Sequence, residues 1–124
     1  MKLLLLAVAM TLCSMASAET YTDKYDSLNL DEILSNSRLF KAYVNCMLDK
    51  GKCTAEGREL KSHITDALKN GCAKCTSVQR KGVRQVFKHM VTSESDAWRQ
   101  LVDKYDPDRE YSRKYEKEFN IQKH

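Results

Sequence analysis

Residues 46–75 read CMLDKGKCTAEGRELKSHITDALKNGCAKC, and this stretch decides the fold. Its cysteines are spaced C-x6-C and C-x2-C, with 18 residues between the pairs. Inside that gap Leu60, Ile64, Ala67 and Leu68 recur at intervals of three and four, the period of one helix face. Each cysteine pair therefore brackets a helix–helix turn. Gly51 and Gly71 stand where left-handed C-caps are wanted, and Thr54 and Thr76 where N-caps are. An even number of cysteines in a short exported chain reads as a disulfide framework. The spacing favours Cys46–Cys53 and Cys72–Cys75. Loops this short contribute only about 2 kcal/mol each in the chain-entropy model. Neither bridge crosses the fold, so packing holds the interior, which is left free for a guest.

Two other uses of these cysteines compete with the bridges. Cys72-Ala73-Lys74-Cys75 has the form of a redox dithiol, with a helix N-terminus and Lys74 to lower the Cys75 pKa. That motif normally follows a strand, and no stretch alternates at period two for long enough to claim one. Four thiolates could also hold zinc, but six residues between the first pair exceed the usual two to four.

Outward from the cysteines the helical period continues in both directions. Leu39, Phe40, Tyr43, Val44, Met47 and Leu48 form one stripe; Val78, Val83, Val86, Phe87, Met90 and Val91 form another. Trp98, Leu101, Val102 and Tyr105 follow, then Tyr111, Tyr115 and Phe119. Ile33 and Leu34 mark a short first helix behind an Asn29…Glu32 capping box. Thr76…Gln79 is a second such box, and Asp106-Pro107 an N-cap followed by proline at the first helical position. The expectation is an all-α domain of six helices, over 30–35, 37–49, 54–70, 76–92, 95–105 and 108–119. Residues 19–28 and 120–124 are expected as less regular arms.

At the start, Lys2, the apolar run Leu3–Met10 and Ala16-Ser17-Ala18 have the three parts of a cleavable secretion signal. Cys13 lies inside it. The expected division is a signal peptide over 1–18 and a single domain over 19–124, placing the product outside the cell as a monomer. No later segment is apolar enough to span a bilayer, so stable membrane insertion is not expected. There is no N-x-S/T sequon. The chain carries 21 basic and 17 acidic residues, interspersed, which gives no case for a nucleic-acid partner. Arg80, Lys81, Arg84 and Lys88 fall on the side of their helix away from Val83, Val86 and Phe87. They read as a solvated face, or as a dock for an acidic partner or lipid headgroup.

No nucleophile elbow, metalloprotease motif or phosphate-cradling loop occurs, so the chain is not read as an enzyme and implies no cofactor. His63, His89 and His124 are scattered, with no metal-ligand spacing, and read as surface or boundary residues. The aromatic residues are more suggestive. Tyrosine and tryptophan carry a polar handle, and methionine adapts its shape, so stripes containing Tyr43, Met47, Met90, Trp98 and Tyr115 suit a cavity wall that meets variable apolar guests. The same stripes suit ordinary core packing equally well. Gly82, inside a helix, serves either close helix approach or open space.

The chain resembles the insect chemosensory proteins, also called the OS-D-like or sensory appendage family. The resemblance rests on Tyr21-Thr22-Asp23-Lys24-Tyr25-Asp26, Asn29-Leu30-Asp31-Glu32-Ile33-Leu34, the cysteine spacing, and Lys104-Tyr105-Asp106-Pro107. It implies a compact six-helix bundle around an apolar channel with two local disulfides. It also implies a secreted carrier of small hydrophobic molecules: odorants, pheromones, fatty acids or long-chain alcohols. Tyr43, Trp98, Tyr111 and Tyr115 match the family's aromatic pocket positions. With the helical stripes, the candidate wall comprises Ile33, Tyr43, Met47, Leu60, Ile64, Val83, Val86, Phe87, Met90, Trp98, Tyr111 and Tyr115. The alternative is a secreted interaction protein of development, regeneration or defence, working through its surface or an unknown membrane receptor, with the cavity incidental.

Overall fold

A computed structural model describes residues 21–22, 24–26 and 28–120. The expected signal peptide with its Cys13, and His124, lie outside them. Six helices are present among the described residues: α1 (Leu30–Ser35), α2 (Ser37–Met47), α3 (Ala55–Asn70), α4 (Ser77–Ser93), α5 (Ser95–Tyr105) and α6 (Ser112–Asn120). The bridges are Cys46–Cys53 and Cys72–Cys75, with Cα atoms 5.0 and 5.2 Å apart. All four sulfurs are thereby bonded, which removes the thiolates that a zinc site would need.

Local chemistry sets most helix starts. Asn29, Asn36, Thr54 and Thr76 each accept a backbone N–H of the first turn through the side chain. At Thr76 the box is reciprocal, because the Gln79 side chain accepts from the Thr76 N–H. Gly71 ends α3 in the left-handed region, φ 68°. Gly51 does not play this part for α2, which ends at Met47; Asp49 turns the chain instead, at φ 61°. Aspartate tolerates that conformation better than most residues, and Lys61 and Lys104 both bind its carboxylate.

α4 is the hub. It packs against α1, α3, α5 and α6, which its stripe Val83, Val86, Phe87 and Met90 explains, since all four are essentially inaccessible. Gly82 provides the close approach to α1: a Cβ there would sit 3.1 Å from Leu30 Cδ1. Val78 leaves the expected stripe and is 56% exposed.

A further departure is at the last helix. The expected start at residue 108 is replaced by a turn, and α6 begins at Ser112. Asp106 does not cap at Pro107. It is buried, and its carboxylate accepts the N–H groups of Glu110, Tyr111 and Ser112 at 3.0, 3.1 and 2.7 Å. Arg109, at φ 60°, makes the reversal between them.

The described part of the N-terminal arm is docked, not loose. Tyr21 donates its N–H to the Lys74 carbonyl and its hydroxyl to the Ser62 carbonyl. The Gln79 amide donates to the Thr22 carbonyl at 2.8 Å and to Asp26 Oδ1 at 3.0 Å. One buried glutamine thus caps α4 and ties down the arm.

Candidate functional site

The apolar faces of α2 to α6 merge into one continuous core. Eight candidate wall residues belong to it: Met47, Leu60, Ile64, Val83, Val86, Phe87, Met90 and Trp98. Tyr43 and Tyr115 are half-buried and pack against it. Ile33 is buried but stands apart from this cluster, and Tyr111 lies over Gly71, outside it.

An aromatic group occupies the α4–α5–α6 junction. Phe87, fully buried, meets Trp98 at 4.9 Å and Tyr115 at 4.8 Å, edge-on in both cases. Such edge-to-face pairs are favoured by the ring quadrupoles. The Trp98 indole N–H donates to Glu116 Oε2 at 2.7 Å, and Arg109 binds the same oxygen at 3.2 Å. Trp98 is therefore fixed in orientation by a carboxylate that is itself ion-paired. Burial holds the Tyr115 phenol above its ordinary pKa, against the opposing pull of Arg84 and Arg80. Burial, and then the charge of Glu56, does the same to Tyr43.

Clefts lie at the margins of this core. One, under the docked arm, has room for about 60 Å³ between Leu28, Leu30, Leu60, Val78, Gly82 and Val83, with Asp26, Glu56, Glu59 and His63 at its edge. A second, of about 170 Å³, is lined by Gly71, Cys72, Arg80, Val83, Arg84 and Tyr115. Val83 is shared by both. A third, also about 170 Å³, has Tyr43 in its wall with Leu39, Ala42 and Gly57.

His63 corrects the expectation of a surface or boundary histidine. It is buried, with Nε2 2.9 Å from Glu59 Oε2 and its ring 4.8 Å from that of Tyr21. The Glu59-x3-His63 spacing that makes this pair was present in the sequence. His89 does lie at a boundary, edge-on to Phe40. The expected wall also leaves out Phe40, Val44, Leu68, Leu101, Val102 and Phe119, which are equally part of the core and sit on the same stripes. Glu116 and Arg109, the anchors of Trp98, have no periodic signal at all.

This geometry can be set beside known proteins. Residues 21–113 match the model of the insect pheromone-binding family A10/OS-D. The chain belongs to that family. It is 45% identical over 116 residues to allergen Tha p 1 of Thaumetopoea pityocampa, covering 93% of this chain and 92% of that protein. Among solved structures, antennal chemosensory protein A6 from the moth Mamestra brassicae matches with TM-score 0.77 and 52% identity, over 82% of this chain and 94% of the other. A chemosensory protein in complex with bromo-dodecanol matches with TM-score 0.75 and 54% identity, over 80% of this chain and 99% of the other. Among the described residues, no helix of this OS-D family member is long and apolar enough to cross a membrane.

Proposed function

We propose that this protein is a secreted, monomeric carrier that takes small elongated hydrophobic molecules into its helical interior. The observation that carries this reading is the bromo-dodecanol complex of a chemosensory protein 54% identical to this chain. The apolar core supports it. Met47, Ile64, Val83, Val86, Phe87, Met90 and Trp98 offer an alkyl chain a continuous surface of low polarity. Met47 and Met90 are unbranched and can change rotamer to admit a guest.

The mechanism is partition. Ligand pockets typically enclose about 300–1,000 Å³; the two clefts that reach Val83 have room for about 60 and 170 Å³, and the larger clefts, of about 330 and 470 Å³, are lined in good part by polar side chains at the surface. A dodecyl chain therefore enters by moving core side chains or helices apart. Each methylene buried contributes about 0.8 kcal/mol, close to fourfold in affinity per carbon. Discrimination among neighbouring chain lengths is correspondingly modest.

Displacement of an apolar fluorescent probe by alcohols from C8 to C18 tests the reading. Affinity should climb with length and then level off, with Trp98 emission changing in parallel. Tyr43→Ala and Tyr115→Ala should weaken binding by removing wall area. Flat affinity across the series would show that no enclosed apolar site exists and would favour a protein that works through its surface.

A further inference from the structure

Arg80 and Arg84 read in the sequence as a solvated face, or as a dock for an acidic partner or lipid headgroup. They are exposed, and they share a cleft of about 170 Å³ with Val83 and Tyr115, where the ends of α3 and α4 meet α6. The apolar wall of that cleft leads inward. Val83 is 1% exposed and belongs to the core, and the Tyr115 ring abuts the fully buried Phe87 at 4.8 Å. The two cations differ in their partners. Arg84 is held by both carboxylate oxygens of Glu118. Arg80 has no carboxylate within 4.0 Å among the described residues; its Nε donates to the Cys75 carbonyl at 3.4 Å. A guanidinium with no carboxylate partner among the described residues therefore stands in a cleft whose wall includes Val83 of the apolar core.

We propose that this cleft holds the carboxylate of a fatty-acid chain, with Arg80 as the principal cation and the alkyl chain running inward past Val83 and Tyr115. A guanidinium presents paired N–H donors that match a carboxylate, whereas an alcohol head offers it no charge. The protein should thus prefer ionised fatty acids to alcohols of equal length. The inference rests on the carrier reading and specifies its ligand.

The test compares dodecanoate with dodecanol at neutral pH by direct calorimetric titration of the wild type, Arg80→Gln, Arg80→Lys and Lys88→Gln. Lys88 is exposed on the same helix and does not line the cleft. Arg80→Gln should weaken dodecanoate by about fivefold, the worth of a good exposed charge pair, and dodecanol by less than about twofold. Arg80→Lys should keep most of the dodecanoate affinity, and Lys88→Gln all of it. Added salt should weaken dodecanoate alone, since only that contact is screened. If Arg80→Gln leaves dodecanoate unchanged, or weakens both ligands equally, the inference is overturned while the carrier reading stands. If the wild type binds neither ligand, both fall. Loss of binding to phosphatidylglycerol vesicles on Arg80→Gln, with dodecanoate unaffected, would assign the arginine to a membrane surface and also overturn it.

Discussion

At Gly71 the backbone and a neighbouring ring both favour glycine. Its φ is 68°, and a Cβ there would lie 3.2 Å from the Tyr111 ring. An L side chain in this conformation costs about 1–2 kcal/mol before any contact is counted. Gly71→Ala should therefore lower stability by about 2 kcal/mol, read from the urea midpoint, and shift Tyr111. A change below about 0.5 kcal/mol would mean that the α3 terminus relaxes freely. This residue was legible in the sequence because glycine at a helix end has one common use. Gly51 looked the same and was not, because the chain had already reversed at Asp49. That choice depends on Lys61 and Lys104 arriving from two other helices, which local sequence does not reveal. His63 and Glu116 escaped notice for the same reason: the burial of one and the Trp98 and Arg109 contacts of the other follow from what packs beside them.

Helix existence could be read from the spacing of apolar residues, and five of the six starts fell within a residue or so of the caps. The exception, α6, shows the limit. Tyr111, Tyr115 and Phe119 keep a period of four from one residue before the true start at Ser112; it is the reading of Asp106-Pro107 as an N-cap and first helical position that runs the helix too early. The actual start is set by Asp106, which gathers three N–H donors in a buried turn. Asp106→Ala strands those donors and should cost about 2–4 kcal/mol. Because α6 carries Tyr115 and Glu116 onto Phe87 and Trp98, near-ultraviolet dichroism of the sole tryptophan should weaken along with stability. An unchanged Trp98 signal would mean that α6 docks without its cap. The bridges act differently. Each closes a short loop outside the helices it joins, so reduction should lower the melting temperature, by about 2 kcal/mol of stability per bridge. It should leave far-ultraviolet helicity largely intact at 25 °C. Collapse of helicity on reduction would make the bridges, not the stripes, the source of the fold.

For the molecule as a whole, the sequence showed which residues are apolar and in what period, but not whether they enclose space. That depends on side-chain volumes fitted across five helices. Two whole-molecule measurements bear on it. Burial raises Tyr21, Tyr43, Tyr105 and Tyr115 above the ordinary 10.0. Above that pH the folded state then binds more protons than the unfolded one, so the phenols' contribution to stability should be constant up to about pH 10 and be lost as pH rises through the folded values. Melting temperatures that hold level past the tyrosinate absorbance transition would mean the phenols are freely solvated. The more direct measurement is Phe87→Ala. Phe87 is fully buried at the centre of the aromatic group, and its removal should cost about 3–5 kcal/mol. In a core that serves only stability, the resulting void is simply lost packing. In a core that must open for a guest, the variant has already vacated space the guest needs, so part of the cost of entry is gone. Decanol at saturation should then raise the melting temperature of Phe87→Ala by more than it raises that of the wild type, since ligand stabilisation grows with affinity for the folded state. An equal or smaller shift in the variant would show that the alkyl chain does not pass through the centre of the core.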